Sequence, residues 1–293
     1  MRYHALWFGV AMTLASWLPA SRAVVVPAAH QRAEVTATLA RVISFPQNTR
    51  SLRIAVFLRS DNSTSVLNYQ AFAQRVAGLP GATITALAPR DFARMDLSVF
   101  DVIVFPGGSP ASQGRSIGEA GREAIRRYVE NGGGYLGICA GAFLATSGYP
   151  WSLGLLNART VEPNNWIRGR GEVDVQFSDD GRALLGDYSP AMPMVYVNGP
   201  ILEPMGRHDL PPYTVAAWYR SEIADNNTPR NVMVNSPAFV HSTYGRGRVF
   251  AISPHPEVTP GLENIVPRVL LWLASGQEPV SRPVSGTMVA STR

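Results

Sequence analysis

The 293-residue chain is 46% hydrophobic and 16% charged, ordinary proportions for a globular protein long enough to bury a full core. All 26 of its basic residues are arginines, which excludes a lysine Schiff base and a P-loop lysine. The formal charge is +5, but the arginines are scattered rather than gathered into a stripe, so no nucleic-acid partner is expected.

Residues 1–23 read as a secretory signal peptide. Arg2 supplies the positive end, residues 5–18 form an apolar run, and Ser21-Arg22-Ala23 offers small residues at the −3 and −1 positions of a cleavage site. The run is shorter than the ~20 residues of a spanning helix, so the expectation is export, periplasmic or extracellular, after cleavage near Ala23, with no transmembrane span in the mature protein. Residues 24–49 are weakly patterned and read as a linker or peripheral segment. An organised domain is expected over residues 50–275, and residues 276–293, rich in Ser, Pro and Thr, read as a disordered tail.

Within the domain, residues 52–58 are an apolar run of buried-strand type. A turn over residues 60–65 precedes a helical pattern at Val66, Leu67, Ala71, Phe72, Val76 and Leu79, with Ser63, Thr64 or Ser65 as N-cap. Strands are expected at residues 82–87 and 100–105, and a helix at residues 117–129. A short strand over residues 135–138 then runs into Cys139. Such alternation argues for an α/β fold with a mostly parallel sheet and helices on both faces. Beyond Gly148 the pattern changes to short β-like runs (173–177, 194–197, 213–219, 231–234, 239–242), read as extra strands and hairpins on the same core. A turn at residues 244–248 feeds a strand over 249–253, and residues 263–273 look helical, with Pro267 near the true first turn.

The stretch that organises the chemistry is Gly137-Ile138-Cys139-Ala140-Gly141. Glycines two residues either side of a cysteine, between a strand and a run of small residues, give the spacing of a strand-to-helix elbow that exposes a nucleophile on a strained turn. The amides of the helix N-terminus would favour thiolate over thiol. The other reading is a small buried residue at a tight junction. Cys139 is the chain's only cysteine, so it cannot form an internal disulfide. Of the five histidines, His255 lies directly after an apolar strand in Ser253-Pro254-His255-Pro256-Glu257, where Glu257 can hold one ring nitrogen while the other faces the sulfur. Ala140 and the Gly107-Gly108 loop are the candidate oxyanion donors. Tyr196, Asn198, Gly199 and Gly107, with Trp166, are candidates to line a ligand pocket. A metal site from His208, Asp209 and His241 lacks ligand spacing, so neither a metal nor a cofactor is expected.

Together the elbow, the Phe105-Pro106-Gly107-Gly108 loop and Pro254-His255-Pro256-Glu257 resemble class I glutamine amidotransferase-like domains. Within that superfamily the wording around Cys139 and Tyr196-Val197-Asn198-Gly199-Pro200 is most similar to the N-terminal, amidotransferase-like domain of biotin–protein ligases. The resemblance implies a flavodoxin-like sheet and a triad of Cys139 as nucleophile, His255 as base and Glu257 as orienter. Two departures bear on function. Ala142-Phe143 stands where glutamine-using members carry a Gln, and neither a synthase domain nor a ligase catalytic region is seen, so glutamine transfer and biotin ligation are not expected. The expected activity is hydrolysis of an amide or ester of a small molecule or peptide through a thiolate. The alternative is a non-catalytic ligand-binding or scaffold domain, for which a partner protein is conceivable.

Overall fold

The computed structural model describes residues 51–161 and 167–275; the expectations for residues 1–23, 24–49 and 276–293 and for Trp166 lie outside the described residues. In chain order the elements are β1 (Leu52–Phe57), α1 (Ser63–Val76), β2 (Ala82–Leu87), β3 (Val102–Phe105), α2 (Pro110–Ser116), α3 (Gly118–Glu130), β4 (Gly134–Ile138) and α4 (Ala140–Ala145). They continue with β5 (Ala158–Thr160), β6 (Arg170–Phe177), α5 (Asp179–Leu185), β7 (Met192–Val197), β8 (Leu202–Pro204), β9 (Thr214–Tyr219), β10 (Pro237–Tyr244), β11 (Gly247–Ile252) and α6 (Ile265–Ser275).

Nine strands form one sheet in the order β2-β1-β3-β4-β11-β10-β9-β6-β7, and β5 and β8 form a separate antiparallel pair. The first five are parallel, in the order of a flavodoxin-like sheet with β11 in fifth place. The other four continue the sheet antiparallel, as expected of extra hairpins on one core. Alternation along β1 sorts its side chains between two layers. Ile54 and Val56 join Phe72 of α1 and Val269 and Leu270 of α6, while Ala55 and Phe57 join Ile125 and Val129 of α3 and Leu144 of α4. Burial of both faces is why the central strands β3 and β4 are apolar throughout, whereas the edge strand β2 exposes Thr83 and Thr85.

Four expectations are corrected. The helix expected from Val66 begins at Ser63, because the cap is Asn62, whose side chain accepts from Ser65 N at 2.9 Å. The single helix expected over residues 117–129 is two, α2 and α3, with Pro110 opening the first and Gly118 at φ 69° opening the second. Residues 231–234 form no strand: Asn231 and Asn235 both take left-handed backbone, at φ 63° and 66°, and turn the chain so that Met233 is buried. The last helix starts at Ile265, so Pro267 lies in its first turn, where a missing N–H costs nothing.

Candidate active site

Cys139 caps α4 at φ 50°, ψ −100°, a conformation that costs a non-glycine residue about 1–3 kcal/mol. The backbone around it is tightly held. Its N–H donates to Ile252 O at 2.8 Å, and its carbonyl accepts from Ala142 N at 3.0 Å. The flanking glycines are required by the approach of backbone to backbone. A Cβ on Gly137 would fall 2.3 Å from Gly141 O, and one on Gly141 would fall 2.0 Å from Phe105 O. The thiol donates to Val197 O at 3.4 Å, at the end of β7.

His255 follows β11 and is only 6% exposed. Its Nδ1 lies 2.6 Å from Glu257 Oε1, while its Nε2 is buried without a hydrogen-bond partner. Burial alone would push the imidazole pKa down, but the charges of Glu257 and of Cys139 outweigh it and hold the ring well above its usual value. The turn carrying this pair is fixed on three sides. His255 N donates to Val195 O at 2.8 Å, Thr259 Oγ1 donates to His255 O at 2.7 Å, and Arg75 Nε donates to Glu257 O.

The Gly107-Gly108 loop closes another side. A Cβ on Gly107 would fall 3.0 Å from His255 Cε1, and Gly108 sits at φ 141°. Buried Gln113 holds this loop by donating from Nε2 to Pro106 O at 2.8 Å. Ala140 opens α4, so its amide belongs to the first turn, whose donors lack intrahelical acceptors. Of the candidate ligand-lining residues, Tyr196 is fully buried and donates to Gly199 O at 2.7 Å. Asn198, at φ 53°, accepts from Gly169 N at 2.8 Å, and a Cβ on Gly199 would fall 2.2 Å from Ser253 O. These three brace the turn after β7, which presents Val197 O to the thiol.

Arg75, Gln113 and Thr259 escaped sequence reading, because an arginine, a glutamine and a threonine at ordinary helix and turn positions carry no local signal. His208 is exposed and His241 bonds Asp180 at 2.7 Å; among the described residues no three His, Cys, Asp or Glu side chains gather as metal ligands. A cavity of about 500 Å³ lies at the amino ends of the parallel strands, between Arg53, Asp101, Tyr128, Gly133 and Leu273, away from Cys139.

No curated protein matches the chain in sequence. The family model for the N-terminal region of biotin-protein ligase matches residues 98–162, a stretch that runs from β3 through the Cys139 elbow to β5. Among solved structures, a ThuA-like protein from Parabacteroides merdae superposes with a TM-score of 0.54 at 14% identity, covering 80% of this chain and 94% of that one. A cytoplasmic protein from Salmonella typhimurium superposes with a TM-score of 0.50, also at 14% identity, covering 76% of this chain and 98% of that one. At such identities the likeness is one of fold. The chain therefore shares the fold of these two proteins, and over residues 98–162 it resembles the N-terminal region of biotin–protein ligases.

Proposed function

We propose that the chain is a cysteine-dependent hydrolase of an amide or ester. One observation carries the reading: a buried imidazole, held through Nδ1 by Glu257, interacts on its other side with Cys139, which stands on a strained strand-to-helix turn. In this reading the Cys139 thiolate attacks the acyl carbon, and the amides of Ala140 and Gly108 hold the resulting oxyanion. Collapse of the intermediate expels the amine or alcohol, which takes its proton from His255. Water, giving a proton back to His255, then cleaves the thioester to release the acid and restore the thiolate. Glu257 fixes the ring's tautomer and supports its positive charge.

The test is the pH dependence of Cys139 alkylation, followed by intact mass. An activated thiol alkylates at pH 6 about a hundredfold faster than a free cysteine of pKa ~8.5, and His255→Ala removes that excess. A thiol that titrates like free cysteine, or one that His255→Ala leaves unchanged, would sink the reading. The non-catalytic alternative is favoured by the cavity of about 500 Å³ at the opposite end of the strands from Cys139. Export rests on the pattern of residues 1–23. N-terminal sequencing of the protein recovered from its host, starting at Val24, would support it, and an intact Met1 would not.

A further inference from the structure

The middle of α1 holds a residue that neither helix formation nor core packing asks for. Asn68 lies six residues into the helix, where asparagine is a weaker former than leucine or alanine. It is half-buried, and its Nδ2 donates to Thr64 O at 2.9 Å. That bond fixes which way the carboxamide is turned, so the oxygen faces away from the helix. There it meets the site. The space a Cβ would take on Gly107 lies 3.0 Å from Asn68 Oδ1 and 3.0 Å from His255 Cε1. The two groups flank the space that the missing side chain of Gly107 leaves, next to the loop that bears the Gly108 amide.

Cε1 is the ring carbon between the two nitrogens, so Asn68 Oδ1 faces the imidazole across Gly107, on a ring whose Nδ1 is already held by Glu257. A carboxamide oxygen is an acceptor only. A carboxamide held in the space beside Gly107 offers this acceptor an N–H, and an ester offers it nothing. We infer that Asn68 is a substrate-binding residue that accepts a hydrogen bond from the N–H of a carboxamide held beside Cys139, and that it selects amides over esters. The inference rests on the hydrolase reading above and adds a preference that the reading leaves open.

Two alkylating probes of nearly equal shape separate the chemistry: iodoacetamide, which carries N–H donors, and methyl iodoacetate, which does not. In each the Cys139 sulfur forms a bond to the CH₂ carbon and iodide leaves with the bonding pair, so the readout is the rate of mass gain at the chain's one thiol. Normalised to the same pair of rates on glutathione, the folded protein should favour the amide by about fivefold, the effect of one hydrogen bond. Asn68→Leu, which improves helix propensity and so keeps α1, should bring that ratio to one, while Asn68→Asp, which keeps an acceptor, should keep it above one. A wild-type ratio of one would overturn the inference while leaving His255-dependent alkylation, and with it the hydrolase reading, intact. Equal slowing of both probes in Asn68→Leu would also overturn it, making Asn68 a prop for the His255 ring. A thiol inert to both probes would overturn the hydrolase reading and the inference together.

Discussion

In β11 all six residues are buried, whereas in β6 burial alternates, with Val173, Val175 and Phe177 inside and Glu172, Asp174 and Gln176 outside. The two strands belong to one sheet, but β11 is covered on both faces and β6 on one. The parallel half carries the candidate catalytic residues: Cys139 stands at the end of β4 and His255 just beyond β11. The antiparallel half supplies the wall. Its terminal strand β7 is last in the sheet order, yet Val195 and Val197 bond His255, Thr259 and the Cys139 thiol. The sheet's far end thus returns to its centre, and the turn carrying the imidazole covers an edge that would otherwise offer unpaired backbone groups. A rigid two-sided layer positions Cys139 and His255, and a one-sided layer, free to curl, encloses them.

The sharpest way to break this contrast is to add one methyl group on each side. Gly141→Ala pushes a Cβ into Phe105 O in the parallel half and should destabilise the fold by more than about 3 kcal/mol in urea denaturation. Gly171→Ala in β6 meets only the end of the Ile223 side chain, at 3.2 Å, and should change stability by less than about 0.5 kcal/mol. Similar losses at both would mean the halves are equally packed.

Polar substitutions at adjacent positions come next. Val249→Asn and Phe250→Asn point to opposite faces of β11, both fully buried, and each should cost about 2–4 kcal/mol. In β6, Val175→Asn should cost as much and Gln176→Asn less than about 0.5 kcal/mol, which tests the one-sided pattern directly.

The imidazole offers a pH test with a defined sign. Its folded pKa is raised by Glu257 and Cys139 against the opposing effect of burial. Such a group stabilises the fold fully below its unfolded value of about 6.5 and loses that contribution as pH rises through the folded value. The stability difference between wild type and His255→Asn should therefore be larger at pH 6 than at pH 10. A difference that grows with pH would mean the ring is held neutral.

The smallest effect is expected at Arg75, whose guanidinium ties α1 to the Glu257 carbonyl. Arg75→Ala should slow Cys139 alkylation at pH 6 a few-fold by loosening the turn, with partial rescue by Arg75→Lys and little change in unfolding midpoint. An unchanged rate would leave the fixing of that turn to Thr259 and Val195.

The sequence by itself determined the strands of the parallel half and the elbow at Cys139. Continuous apolar runs, a helical period between them and glycine spacing around Cys139 are local signals, and each reflects a constraint that the structure makes explicit. Gly137 and Gly141 are glycines because backbone lies about 2 Å from where their side chains would be. The pairing of His255 with Glu257 was legible for the same reason, since two residues suffice to place a carboxylate beside a ring. Tertiary structure alone decided the rest. Nothing in residues 231–234 distinguishes a strand from the turn that two left-handed asparagines impose, because β propensity depends on neighbours. Asn68, Arg75, Gln113 and Val197 come to the site through contacts between elements distant in the chain, Arg75 from 182 positions away. Local pattern records which face of a segment is buried. It carries no record of what that face is buried against, and the wall of this site consists of such contacts.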